Sequence, residues 1–328
     1  MGTPDFAVAP LQALVEAGWN VVGVVTAPDK PSGRGLQLQP SPVKKYALEH
    51  ALPLLQPTNL KDPTFQQELA EWQAELQVVV AFRMLPEAVW NMPPLGSINL
   101  HASLLPAYRG AAPIHRAVMN GETETGLTTF FLRHAIDTGD LLDQVRLAIG
   151  PEETTGELHD RMMVLGAELV LSSVEKISKG QVNGQPQPPG ENYPTAPKIF
   201  RDDTQIDWNR PAADLHNLVR GLSPSPAAWT TWQGKTLKIY RTRLVPEHLP
   251  KLPASPQGIF LTEATKSSQR LTGSIDEHIL LNAEPGACYV CGHQAWMKCA
   301  DQWLEILELQ PEGRKRMPVS AWIQGLRA

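Results

Sequence analysis

Short apolar runs alternate with amphipathic stretches along the first 180 residues. Val21–Thr26, Leu54–Gln56, Leu76–Phe82 (LQVVVAF) and Ser97–His101 have the length and apolar or β-branched content of strands. Leu127–Leu132 and Leu141–Leu147 read as two more, flanking the turn DTGD. Helices are predicted after Ser41-Pro42 and Asp62-Pro63, where a capping side chain precedes a proline in the first turn. Ala112–Met119 reads as a third helix. Thr155–Lys179 reads as a long fourth, with Leu158, Met162, Leu165, Leu169 and Val170 near helical spacing. Strands alternating with helices predict an α/β fold with a mostly parallel sheet covered on both faces. The Pro- and Gly-rich stretch Gly180–Pro197 breaks this pattern and reads as a linker. Beyond it lies one helix, Ala212–Leu222, and then short alternating segments: Lys235–Arg243, Gly258–Leu261, His278–Asn282, Ala287–Lys298 and Trp303–Glu308. These predict a small β-barrel. The expected organisation is a domain over 1–180, a linker over 181–199 and a second domain over 200–328.

Composition narrows the class. The 328 residues suffice for about two domains, each with its own core. No uncharged apolar run is long enough to span a membrane. MGTPDFAVAPL lacks the basic start and apolar stretch of a signal peptide, and three cysteines fit a reducing compartment better than a disulfide scaffold. A cytoplasmic protein is therefore expected. The net charge of −5 is unevenly spread: 14 basic against 21 acidic residues over 1–200, 15 against 13 over 201–328. The C-terminal bias permits a polyanionic partner without requiring one.

The segment richest in chemistry is 96–140, GSINLHASLLPAYRGAAPIHRAVMNGETETGLTTFFLRHAIDTGD. Asn99 and His101 are two apart on a strand and so point to one face. They stand where that strand runs out into a loop, the end at which open α/β sheets carry their sites. An amide donor beside an imidazole can hold a developing oxyanion. A carboxylate such as Asp137 can tune a histidine and relay a proton. From spacing alone, a satisfied polar pair at a strand end and a turn-forming aspartate is the commoner reading.

Asn99-x-His101, Ser103-Leu104-Leu105-Pro106, Tyr108-Arg109-Gly110-Ala111-Ala112-Pro113 and Asp137-Thr138-Gly139-Asp140 resemble the folate-dependent formyltransferases. GTPDFA at 2–7, PDKPSGRG at 28–35 and LQPEGRKRM at 309–317 are similar to the branch of that family that acts on initiator tRNA. The resemblance covers nearly the whole chain. It implies a Rossmann-like formyltransferase domain followed by an OB-like barrel. It implies transfer of a formyl group from 10-formyltetrahydrofolate, as co-substrate, to the amine of initiator methionyl-tRNA, by a monomer that needs no metal. Asn99, His101 and Asp137 would be catalytic. Ser103, Leu104, Leu105 and Pro106 would border the folate. Lys30 and Arg34 would reach the tRNA acceptor end. The loop Ala81–Leu85 would contact the pterin, but Arg83 departs from the Ala-Tyr-Gly of many relatives. Family members also carry a short segment ahead of GTPDFA that forms the first strand, so that strand is expected upstream of Met1.

Other features have plainer readings. Lys235, Lys238, Arg241 and Arg243 share one expected strand, and Arg314-Lys315-Arg316 form a second cluster; either could be ordinary surface charge or a tRNA footprint. Trp229 and Trp232 read as packing. Cys288-x-x-Cys291-x-His293 with Cys299 has knuckle-like spacing, yet it alternates like a strand and contains one pair only, so the cysteines are read as small packed residues. No function is assigned to the long connection 262–286. A relative formylating an amino-sugar nucleotide, or hydrolysing the formyl group, would share the central motifs but not need Lys30 or Arg34. A nicotinamide oxidoreductase would need G-x-G-x-x-G, which Gly2-Thr3-Pro4 does not supply. A nucleic-acid-binding barrel alone would leave Asn99, His101 and Asp137 without a role.

Overall fold

The computed structural model describes residues 1–32, 37–182, 184–189, 192–245, 258–262, 269–273, 280 and 282–327. They form two compact units. The first comprises Met1–Pro113, Glu124–Ala148 and His159–Pro197, and the second Ile114–Thr123, Ile149–Leu158 and Lys198–Ala328.

In the first unit the order is α1 (Asp5–Glu16), β1 (Val24–Val25), β2 (Lys30–Ser32), β3 (Gln37–Gln39), α2 (Pro42–Glu49), β4 (Leu54–Leu55), α3 (Pro63–Glu71), β5 (Gln77–Val80), α4 (Glu87–Trp90), β6 (Ser97–His101) and β7 (Arg109–Gly110). After α5 (Pro113–Met119) come β8 (Glu124–Phe131), β9 (Leu141–Ala148), α6 (Thr155–Ser178) and β10 (Thr195–Ala196). The predicted caps form: Ser41 accepts from Lys44 N–H at 3.0 Å, and Asp62 from Thr64 N–H at 3.0 Å. β5 and β6 run parallel, as do β1 and β4, whereas β8 and β9 complete the sheet antiparallel. Between β1 and β5 stand Met1 and Gly2. Gly2 N–H donates to Val25 O at 3.0 Å and Val80 N–H to Met1 O at 2.9 Å. A cavity of about 550 Å³ adjoins them, lined by Val22, Val24, Trp72, Leu76 and Val78 among others. Val25, Phe65, Leu69, Val79, Leu85 and Val89 pack as one apolar cluster of the unit. α6 comes close to the sheet at Gly166, where a Cβ would lie 2.8 Å from a Leu100 methyl.

The stretch read as a linker carries main-chain pairing. Gln185 and Leu141 exchange two hydrogen bonds (2.9 and 2.7 Å), and β10 pairs in parallel with β7.

The second unit has α7 (Ala212–Leu222), β11 (Ala228–Trp232), β12 (Lys235–Leu244), β13 (Gly258–Thr262), β14 (Gln269–Gly273), β15 (Cys288–Cys291), β16 (Gln294–Lys298), β17 (Trp303–Pro311), β18 (Met317–Pro318) and α8 (Val319–Arg327). The strands form one antiparallel sheet in the order β11-β12-β17-β16-β15-β13-β14, with β18 on β17. This is a barrel-like fold that the described pairings leave unclosed. β14 lies inside the long connection 262–286 and pairs with β13. The strand expected over His278–Asn282 does not form at its described residues. Leu280 is helical, packing against Ala287, Tyr289 and Trp296, and Asn282 lies in a turn. Ala287–Lys298 is a hairpin, turning at Gly292 (φ 60°).

Candidate active site

The end of β6 delivers the predicted polar pair. Asn99 is half-buried and pairs with Val79 and Phe130; His101, buried, pairs with Thr128. His101 Nε2 lies 2.8 Å from Tyr108 O. A carbonyl only accepts, so Nε2 carries the proton and donates. Nδ1 faces Asp137 Oδ2 at 3.8 Å, an ion-pair distance outside hydrogen-bond range. Asp137 Oδ2 itself accepts from Gly110 N–H at 3.0 Å. The three residues lie in one unit. The His101 and Asp137 side chains are 8% and 15% exposed, so solvent reaches them only narrowly.

Two of these positions sit in unusual backbone. Asp137 has φ 53° and Tyr108 φ 59°, in the left-handed region that non-glycine residues seldom occupy. At Tyr108 this turn aims its carbonyl at His101. Tyr108 N–H donates to Pro194 O at 2.6 Å, so the turn is held from the segment before β10.

The loop Ser103–Pro106 is fixed by a saturated hydroxyl. Thr128 Oγ1 donates to Ser103 O at 2.7 Å and accepts from Leu105 N–H at 3.1 Å and Gln144 Nε2 at 2.9 Å. One donor and two acceptor sites are all a threonine hydroxyl has. Gln144 Nε2 also donates to Leu105 O at 2.9 Å, and Ser103 Oγ to Ala107 O at 2.6 Å.

The residues 1–174 match a family model described as formyl transferase, and 198–327 match one described as formyl transferase, C-terminal domain. A methionyl-tRNA formyltransferase of Bacteroides fragilis is 48% identical over 334 residues, covering 99% of this chain and 93% of the relative. One of Flavobacterium johnsoniae is 42% identical, covering 99% and 95%. The chain belongs to the formyl transferase family.

Solved structures extend the fold beyond close sequence similarity. An N-formyltransferase of Helicobacter canadensis, in complex with folinic acid and dTDP-3-aminofucose, has a TM-score of 0.61 at 16% identity, covering 94% of this chain and 97% of that one. HypX of Aquifex aeolicus with tetrahydrofolic acid has a TM-score of 0.55 at 17% identity, covering 85% and 43%.

In this formyltransferase the loop expected to hold Lys30 and Arg34 begins as a hairpin, β2 with β3. Lys30 is exposed on β2, and Arg34 lies outside the described residues. The hairpin base is braced at Asp29, which pairs with Lys44 at 2.7 Å and accepts from Gln56 at 2.9 Å. Those two hydrogen bonds hold the Asp29 carboxyl below its ordinary range. Arg83 donates to Thr58 O (2.9 Å) and Pro57 O (2.5 Å), tying two loops together.

In the second unit much of the positive charge is partnered. Arg241 pairs with Glu157, Arg243 with Glu305 at 3.5 Å, and Arg316 with Glu308. Trp232 is core and meets Trp322 edge-on, whereas Trp229 bonds Thr204 Oγ1 at 3.1 Å under Arg201. Among the described residues no group of three His, Cys, Asp or Glu is placed to hold a metal ion. Burial pushes the Cys288 and Cys299 thiols up to about 12. Among the described residues no helix is long and apolar enough to cross a membrane.

The sequence reading did not single out Thr128, Gln144 or Gln187. Threonine and glutamine inside strands and Pro-rich stretches carry no local signal. Their roles depend on carbonyls that only the fold brings near.

Proposed function

We infer that the chain transfers the formyl group of 10-formyltetrahydrofolate to the α-amine of methionyl initiator tRNA, as a cytoplasmic monomer. The observation that carries this is 48% identity along 99% of the chain to a relative named for that reaction. The geometry supports roles for three residues. The neutral amine attacks the formyl carbon, and the formyl oxygen becomes an oxyanion. The Asn99 amide donates to it. So does His101, through Nδ1 when the ring is protonated, because Nε2 is occupied by Tyr108 O. Each such donor is worth about 2–4 kcal/mol in other oxyanion sites. Asp137 stabilises the imidazolium and accepts the proton that the amine sheds, directly or through water. The bond from the formyl carbon to the folate nitrogen then breaks, and that nitrogen takes the proton as it departs. Ser103, Leu104, Leu105 and Pro106 border the folate on a loop that Thr128 and Gln144 hold rigid. Lys30, and Arg34 beyond it, meet the acceptor end of the tRNA.

Formyl transfer is measured with three acceptors in parallel: methionyl initiator tRNA, an amino-sugar nucleotide and water. The expected product is formylmethionyl-tRNA alone. A formylated sugar, or free formate without a tRNA product, overturns the reading. Lys30→Ala and Arg34→Ala should raise KM for the tRNA and leave that for the folate unchanged.

A further inference from the structure

The geometry points to Gln187 as a positioning residue for Asp137. The inference rests on the reading of Asp137 given above. Asp137 occupies left-handed backbone (φ 53°) within a loop whose residues His134, Ala135 and Ile136 are exposed. Such a conformation is unfavourable for a residue other than glycine and persists only where the surroundings impose it. Within the loop, Thr138 Oγ1 donates to Ala135 O at 3.0 Å. Asp137 is held further from two distant points: its carboxylate by the Gly110 N–H at 3.0 Å, and its main chain by a side chain fifty residues away.

Gln187 Nε2 lies 2.8 Å from Asp137 O and 2.9 Å from Gly139 O. A carboxamide nitrogen has two hydrogens, so one side chain clamps the carbonyls on both sides of Thr138. Its own oxygen accepts from Arg109, from Nε at 3.2 Å and from one terminal nitrogen. Arg109 precedes Gly110, whose N–H donates to the Asp137 carboxylate at 3.0 Å. A closed circuit results. Arg109 orients Gln187, Gln187 sets the Asp137 main chain, and Gly110 receives the Asp137 side chain.

Both flanks of Gln187 are anchored in the same unit. On one side Gln185 and Leu141 exchange two hydrogen bonds. On the other, Thr195 and Ala196 pair with Arg109 and Gly110, and Ala112 N–H donates to Ala196 O at 3.1 Å. At Gly110 (φ 125°) a Cβ would stand 2.4 Å from Ala196 O, so only glycine permits this approach. The Pro-rich segment thus does more than connect. It holds a glutamine at the height where it grips the loop bearing the carboxylate.

The test uses two variants of the full chain. Gln187→Glu keeps the size and the Arg109 partner but removes both donors. Gln187→Met removes donors and acceptor. Each should lower kcat for formyl transfer tenfold or more, with KM for 10-formyltetrahydrofolate and for methionyl-tRNA within threefold and an unchanged melting temperature. In an Asp137→Asn background the same changes should add less than twofold, because the residue they position no longer acts. If Gln187→Glu turns over like wild type while Asp137→Asn is slow, Gln187 has no positioning role and the Asp137 reading stands. If Asp137→Asn itself turns over like wild type, both fall. If either Gln187 variant loses its cooperative melting transition, or if losses in the double variants are additive, Gln187 is structural only and the inference is overturned.

Discussion

The loops around His101 and the sheet of the second unit use polar groups in opposite ways. In the second unit the left-handed pair Gln233 and Gly234 (φ 49° and 72°) makes the two-residue turn of the β11–β12 hairpin, which is the ordinary use of such backbone. Arginines there are spent on nearby carboxylates, and two of the three cysteines are packed among Val290, Met297 and Leu304. Around His101 the left-handed residues are Tyr108 and Asp137, and each turns a polar atom toward the same imidazole. Their geometry is imposed by side chains and main chain from distant segments: Pro194, Gly110 and Gln187. The contrast teaches where to look for chemistry. Unusual backbone that shapes a hairpin is local. Unusual backbone held from afar, and aimed at a titratable ring, marks a site.

That comparison predicts different costs for polar deletions in the two regions. Asn99→Ala should reduce turnover about 100-fold or more, as loss of an oxyanion donor does elsewhere, with little change in melting temperature. Steady-state formylation and thermal unfolding of the same preparation check it; a fall of less than about threefold would take Asn99 out of the mechanism. Thr128→Val should destabilise by about 1–3 kcal/mol, because Leu105 N–H and one Gln144 hydrogen lose their acceptor. It should also raise KM for the folate, which titration of initial rates against folate will report. In the second unit, Asp214→Ala removes an exposed pair with Arg210 at 3.3 Å and should shift stability by about 0.5 kcal/mol or less in urea unfolding. The smallest effect is expected from the thiols. With Cys288 and Cys299 held near 12 by burial and Cys291 half-buried, the native protein at neutral pH should expose one reactive thiol to a chromogenic disulfide, and three after denaturation. Blocking that one thiol should leave turnover unchanged. Fast reaction of two or more native thiols would break the picture of a packed sheet.

Much of this was legible in local sequence. Ser41-Pro42 and Asp62-Pro63 announce helix starts because the cap and the proline act within one turn. Asn99 and His101 are assigned to one face because a strand repeats every two residues. The strand β6 and the helix α7 fall at the expected residues. What stays hidden depends on contacts across long separations. The run His278–Asn282 has a strand-like composition, but Leu280 is helical and packs in one cluster with Tyr289 and Trp296, residues distant from it in local pattern. β14 lies in a connection rich in polar residues, where its pairing with β13 leaves little periodic signal. Gln187 sits among prolines that say only that the chain is extended; its clamp on Asp137 and Gly139 appears when 50 intervening residues have folded. The 3.8 Å spacing of His101 from Asp137 likewise follows from a loop conformation that no motif encodes.

The central claim is that the His101–Asp137 pair moves the proton that formyl transfer requires. Single-turnover transfer from 10-formyltetrahydrofolate to methionyl initiator tRNA, with wild type and Asp137→Asn at saturating substrates, tests it most directly. The account predicts a loss of two orders of magnitude or more in the chemical step, with tRNA and folate binding and the unfolding transition unchanged. A chemical step at the wild-type rate in a fully folded Asp137→Asn protein would contradict it.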